Sequence, residues 1–213
     1  ASGGARAKLS APIIGALVTT VLTNGMVLWG MPTMSTRGDD MAQILYMMGV
    51  RPVWNRHSGR VQGVEVIPLA ERKYPRIDVT VRTSGFFRDA FPNLMETIDG
   101  AARMVAALDE PPEMNPLAHN VAVDREEMIK AGLSAEEAEK RAAFRVYSDK
   151  PGCYGAGVAD LLDSGQWDEV NDLGEIYIAW GGYAYGQGVY GDARQDDFRR
   201  RLGRLDLTVK NES

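Results

Sequence analysis

Arg88 and Asp89 stand among three phenylalanines in TSGFFRDAFPN, residues 83–93. A guanidinium beside a carboxylate, between rings that favour burial, has two chemical readings of equal weight. Arg88 either aims its planar donor fork at a ligand carboxylate, or it pairs with Asp89 as a brace, because a charge in an apolar setting requires a partner. A second charged stretch, MPTMSTRGDD, brings Arg37, Asp39 and Asp40 together. These residues would cradle an ion or, the simpler reading, open a helix, where carboxylates suit the dipole.

Two glycine-aromatic stretches follow. WGGYAYG offers the rings of Trp180, Tyr183 and Tyr185 either to a planar ligand or to packing at a helix end. PGCYGAG, residues 151–157, lacks the Lys-Ser/Thr of a phosphate loop and the GxGxxG spacing, so it is a poor ATP site. Its glycines would still let backbone approach a flat ligand. The only histidines, His57 and His119, have no i, i+4 partner and read as surface residues. Cys153 reads as a small buried cysteine. No HExxH or CxxC motif occurs.

The elements that must position these groups follow from periodicity. Met26–Gly30 is a short apolar strand, and a helical stripe (Met41, Ile44, Leu45, Met48) begins at Asp39 and stops at Gly49. Strands are expected at Val50–Trp54, Val61–Ile67 and Arg76–Val81. Pro92 opens a helix carrying Leu94, Ile98, Ala101, Val105 and Leu108. Strand, loop and helix thus recur, which favours an α/β fold with an open, mainly parallel sheet and flanking helices. In such sheets the loops at the carboxyl ends of strands line the ligand crevice. MPTMSTRGDD and TSGFFRDAFPN are expected to be those loops.

From Pro116 to Ala143 capping-box spacings mark helices. A short strand at Phe144–Tyr147, helices over Val158–Leu162, Trp167–Trp180 and Asp196–Leu202, and a last strand at Leu205–Val209 complete the chain. The organisation expected is an unassigned N-terminal arm (1–24), an α/β unit (25–115) and a helix-rich part of the same or a closely packed domain (116–213). Residues 5–22, ARAKLSAPIIGALVTTVL, imitate a signal peptide, with a basic start and an apolar run. The run is too short to span a bilayer, and a buried helix is the favoured reading.

The 213 residues suffice for a sizeable core. A net charge of −5 argues against nucleic acid as a partner, and no segment reads as a membrane span. One cysteine excludes an internal disulfide framework and points to a reducing, cytoplasmic setting. The chain begins at Ala1, which suggests processing or a longer parent.

Several stretches, taken in order, resemble a known family: LWGMPTMSTRGDDMAQILYMMGVRPVW, VEVIPLAERKYPRIDVTVRTSGFFRDAFPN, AALDEPPEMNP, YSDKPGCYGAGV and IYIAWGGYAYG. The family is the large subunit of aerobic cobaltochelatase and, more distantly, the porphyrin-binding subunit of magnesium chelatase. The resemblance implies tetrapyrrole binding and insertion of Co²⁺, a substrate, into hydrogenobyrinic acid a,c-diamide during cobalamin synthesis. It also implies that partner AAA+ subunits hydrolyse ATP, in keeping with the missing P-loop. Family members are several times longer, and their HGTxEWLPG motif is absent here. The chain therefore resembles a C-terminal portion, docked to the rest of the large subunit and inactive alone.

On that reading Arg88 and Asp89 meet the macrocycle's rim, while Trp180, Tyr183 and Tyr185 supply a wall. Asp39, Asp40, Asp89 and His119 are residue types that strip water from cobalt or accept pyrrole protons. Two alternatives stay open: a non-catalytic module that docks the AAA+ subunits, and the corresponding piece of a magnesium chelatase acting on protoporphyrin IX.

Overall fold

The computed structural model describes residues 23–210. The arm assigned to 1–24 lies almost wholly outside them, as does the apolar opening stretch. The described chain folds around a six-stranded sheet in the order β7-β6-β5-β4-β1-β8. Its strands are β1 (Thr23–Leu28), β4 (Asp78–Thr83), β5 (Val146–Ser148), β6 (Tyr183–Gly186), β7 (Val189–Ala193) and β8 (Leu207–Lys210). β1 pairs in parallel with β4 and β8, and β4 with β5; β6 and β7 complete the sheet antiparallel. The sheet is thus mainly parallel, as the strand–loop–helix recurrence predicts, and strands from both halves of the chain share it. β2 (Val50–Trp54) and β3 (Val61–Val66) form a separate antiparallel hairpin.

Nine helices flank the sheet among the described residues. They are α1 (Gly30–Ser35), α2 (Asp39–Met48), α3 (Gly85–Ala90), α4 (Pro92–Ala106), α5 (Pro116–Lys130), α6 (Ala135–Ala142), α7 (Val158–Ser164), α8 (Val170–Gly181) and α9 (Gln195–Leu202). Val79, Val81 and Val146 join α2 and α4 in one apolar cluster through Ile44, Met48, Ile98 and Val105. A second cluster gathers Phe144, Tyr147, Ile178 and Phe198. Side-chain alternation along β4 turns Asp78 and Arg82 away from Val79 and Val81. Both charges are buried and both are paired. Asp78 accepts from Arg145 and from Arg201 (3.3 Å), and Arg201 also reaches Asp124.

Two stretches expected as loops are short helices. In MPTMSTRGDD, α1 forms directly after the strand. The Thr33 hydroxyl donates to the Trp29 carbonyl (2.8 Å), and Arg37 (φ 58°) and Gly38 (φ 97°) turn the chain into α2. In TSGFFRDAFPN, Ser84 Oγ accepts from the Phe87 N–H (3.1 Å) and caps α3, while Pro92 opens α4. WGGYAYG is also not a loop: Trp180 and Gly181 end α8, and Tyr183–Gly186 are β6. PGCYGAG is irregular and joins β5 to α7. No helix among the described residues is long and apolar enough to cross a membrane.

Candidate functional site

The parallel strands β1, β4 and β5 deliver their carboxyl ends to one rim, and three connections emerge there: Trp29 into α1, Ser84 into α3, and the segment 149–157. Between them lies a cleft of 570 Å³ walled by Trp29, Met31, Phe86 and Tyr154, with Gly30 and Gly85 in its floor and Lys210 at its edge. The walls are exposed rather than packed away: Trp29 is 42 % exposed, Phe86 47 % and Tyr154 62 %. The glycines make this possible. A Cβ on Gly30 would run into the Phe86 ring, and one on Gly85 would fall 2.7 Å from the Tyr154 ring. Lys210 Nζ stands 5.4 Å from the centre of the Trp29 ring, a cation–π contact that places a positive charge beside an aromatic wall.

Beneath the cleft the backbone is held by side chains. Arg88 is buried and pairs bidentately with Asp89, Nε to Oδ1 at 2.7 Å and Nη2 to Oδ2 at 2.8 Å. Its Nη1 donates to the carbonyls of Asp149 (3.2 Å), Lys150 (2.8 Å) and Cys153 (3.1 Å). Hydrogen bonding to Asp89, against the opposing effect of burial, raises the Arg88 pKa above its usual range. The same bonds, with a donation from the Tyr154 hydroxyl (2.7 Å), hold the Asp89 carboxyl below the ordinary carboxylate range. The Tyr185 hydroxyl donates to the Asp149 carbonyl (2.6 Å), and burial pushes its pKa up to about 12. Asp149 itself is buried and ion-paired with Arg82.

The residues singled out in the sequence do not gather in this cleft. Arg88 spends its donors inside the chain and acts as the brace of the two readings; Asp89 and Tyr185 belong to the same bracing network. Tyr183 is half-buried and packs against the main core. The half-buried Trp180 lies under the loop, where a Cβ on Gly157 would come 2.7 Å from its Nε1. Arg37 and Asp39 line a different, broader groove of 1070 Å³ between α2, the β2–β3 hairpin and α4, while Asp40 is buried at the start of α2. Cys153 is exposed, contrary to the expected burial, because it sits in an irregular loop anchored through its carbonyl. His57 and His119 are exposed, as expected. Among the described residues no group of three or more His, Cys, Asp or Glu side chains is placed to hold a metal ion.

The cleft walls were missed for a simple reason. Trp29 reads as the end of an apolar strand, and Phe86 as a ring seeking burial. The signal that marks them is an aromatic next to a glycine in the segment that leaves a parallel strand: Trp29-Gly30 after β1, Gly85-Phe86 after β4 and Tyr154-Gly155 after β5.

With this geometry in place, the likenesses to known proteins become informative. The CobN/Magnesium Chelatase family model matches residues 22–213. The chain belongs to this family. Chelatase relatives include the aerobic cobaltochelatase subunit CobN of Pseudomonas aeruginosa, 45 % identical over 88 % of this chain and 15 % of its own length. The uncharacterized protein MJ0908 of Methanocaldococcus jannaschii is 53 % identical over the same shares of the two chains. Among solved structures, the catalytic subunit of cobaltochelatase from Mycobacterium tuberculosis superposes with a TM-score of 0.82 at 42 % identity, covering 90 % of this chain and 16 % of that one. The chain thus spans about 15 % of the length of the curated relatives it matches.

Proposed function

We propose that this chain forms part of the tetrapyrrole cleft of an ATP-dependent cobalt chelatase large subunit. The full subunit would insert Co²⁺ into hydrogenobyrinic acid a,c-diamide in cobalamin biosynthesis, in the cytoplasm. AAA+ partner subunits would hydrolyse the ATP, and the chain alone would be inactive. The observation that carries the reading is the cleft at the carboxyl rim of β1, β4 and β5. Its exposed Trp29, Phe86 and Tyr154 supply aromatic walls, its floor is glycine, and Lys210 stands at the edge. A wide, flat macrocycle fringed with carboxylates calls for aromatic walls and a cationic rim. Arg88 and Asp89 serve this site indirectly, by fixing the loop that carries Tyr154. The rest of the large subunit supplies the opposing wall.

Family membership supports metal chelation, and the named cobaltochelatase relatives favour cobalt over magnesium. The test is a titration of the full-length subunit with hydrogenobyrinic acid a,c-diamide and with protoporphyrin IX, read by tryptophan emission and by ligand absorbance. Trp29→Ala and Phe86→Ala are expected to weaken binding about tenfold each, the effect of losing one stacked ring. Binding untouched by both substitutions would refute the cleft. Tighter binding of the porphyrin than of the corrin precursor would move the assignment to magnesium chelation.

The broad groove favours a second reading, docking of the AAA+ subunits. It is large, and exposed Trp54, Val61, Met34 and Met104 border it. Trp54→Glu abolishing capture of the ATPase subunits while leaving tetrapyrrole binding intact would assign that role to it.

A further inference from the structure

In the bracing network under the cleft two buried side-chain atoms lack a hydrogen-bond partner, Arg82 Nε and Asp149 Oδ2, and the second is the one that lies against the cleft. Asp149 Oδ1 accepts from Arg82, the Asp149 carbonyl accepts from Tyr185 and Arg88, and the neighbouring Ser148 hydroxyl donates to the Thr83 carbonyl. Oδ2 is buried and has no hydrogen-bond partner. A buried carboxylate oxygen without a donor is costly, and such groups concentrate at functional sites.

The position of this oxygen shows what would reach it. Oδ2 lies 3.0 Å from the point where a Cβ on Gly85 would sit, and the Tyr154 ring lies 2.7 Å from the same point. Gly85 and Tyr154 both line the cleft. The open acceptor therefore lies beside Gly85 under the cleft, with the Cys153 carbonyl (2.8 Å from the same point) next to it and the Tyr154 ring as its cover on the cleft side. That cover is light. Tyr154 is largely exposed, and its anchors are the hydroxyl bond to Asp89 and a cation–π contact with Arg88 (5.4 Å).

We propose that Asp149 is a substrate-contacting residue whose Oδ2, uncovered when Tyr154 swings aside, accepts a hydrogen bond from a ring N–H of the metal-free macrocycle. This rests on the cleft reading above and adds a consequence to it. The macrocycle loses its ring N–H donors when a metal ion takes their place. An acceptor that needs an N–H then holds the metal-free substrate and loses its bond to the metallated product. Asp149 is thereby a specificity determinant that favours substrate entry and product release. The Arg82 partner fixes the carboxylate, so that the acceptor is already oriented before the ligand arrives.

The experiment compares two ligands of one shape on the full-length subunit: a free-base carboxylated porphyrin and its palladium(II) complex, which has no ring N–H and stays planar. Tryptophan quenching gives both dissociation constants. The wild-type protein is expected to favour the free base by about ten- to a hundred-fold, the range of one charge-assisted hydrogen bond. Asp149→Asn is expected to reduce that preference to about threefold or less while the palladium complex binds as before. A wild-type protein that binds both ligands equally overturns the proposal. So does an Asp149→Asn protein that keeps the preference, or one that loses both ligands in equal measure.

Should Asp149→Asn fail to fold, Tyr154→Ala, at an exposed position, carries the test. It is expected to weaken both ligands and keep the preference; a vanished preference would assign the N–H contact to the Tyr154 hydroxyl and overturn the proposal. Trp29→Ala separates the two levels of inference. Unchanged binding of both ligands refutes the cleft and the role of Asp149 with it. Weakened binding of both, in a protein with no free-base preference, refutes Asp149 alone.

Discussion

Arg88→Ala is the substitution that most directly probes the frame under the cleft. The side chain carries five hydrogen bonds: two to Asp89 and three to carbonyls 61–65 residues away in sequence. They are not of equal consequence. The Asp149 carbonyl keeps the Tyr185 hydroxyl, and the Lys150 carbonyl keeps the Cys153 N–H (2.9 Å). Asp89 is 37 % exposed and regains water, so its share of the pair is worth little more than a surface ion pair, about 1 kcal/mol. The Cys153 carbonyl has Arg88 as its donor, and a charge-assisted bond of that kind contributes about 1.5–3 kcal/mol. With the side chain's packing volume lost as well, the total is about 3–4 kcal/mol, in the range found when one partner of a buried ion pair is removed. Urea unfolding followed by far-UV circular dichroism measures it. Arg88→Lys is expected to recover about half, because an ammonium replaces one or two of the five bonds and not the fork. A loss below about 1 kcal/mol for Arg88→Ala would refute the brace and return Arg88 to the list of ligand-facing groups.

Tyr147→Phe is expected to stabilise the fold by about 1–2 kcal/mol, since the buried hydroxyl has no hydrogen-bond partner; a lowered melting temperature would contradict this. Burial pushes the Tyr147 pKa up to about 12, so its contribution to stability is intact below its ordinary pKa near 10 and disappears as pH rises toward 12. The Phe variant should therefore lose less stability across that alkaline window. For Asp78, burial alone would raise the pKa, but Arg145 and Arg201 outweigh it and the net shift is downward. Its stabilisation is present above the usual carboxylate pKa near 4 and falls away as pH drops through the lower folded value. Asp78→Asn, which leaves two buried guanidinium groups short of a partner, is expected to cost about 3–5 kcal/mol at pH 7 by urea unfolding. Gly30→Ala should displace the exposed Phe86 ring and weaken tetrapyrrole binding several-fold, with a melting temperature within about 3 °C of wild type, because a half-exposed ring can move at a cost of about 1 kcal/mol or less.

The sheet was legible because parallel strands buried on both faces tend to be apolar, and Met26–Leu28 of β1 and Val146–Tyr147 of β5 follow that pattern. β4 obeys it on one face only: Val79 and Val81 read as core, whereas Asp78 and Arg82 give no sign in sequence of the arginines and the aspartate that neutralise them from the residue before β5, the loop after it and α9. The short helices α1 and α3 were illegible as helices because six residues make less than two turns, too few for a 3.6-residue period to declare itself. Only α3 carries marks, the Ser84 cap before it and Pro92 after it, whereas α1 has no side-chain cap. For Arg88, sequence supplies the charge and its neighbour but not the three carbonyls that arrive from the PGCYGAG side of the sheet, and those carbonyls decide between ligand contact and brace. The cleft shows the converse. Trp29, Phe86 and Tyr154 are the residue types that composition assigns to the interior, yet the turn from each strand into the next segment leaves them at the rim. Burial is a property of where the chain goes next rather than of the side chain. The charged residues that stand out in the sequence therefore form the frame, and the exposed aromatic surface lies in the rings that the frame fails to cover.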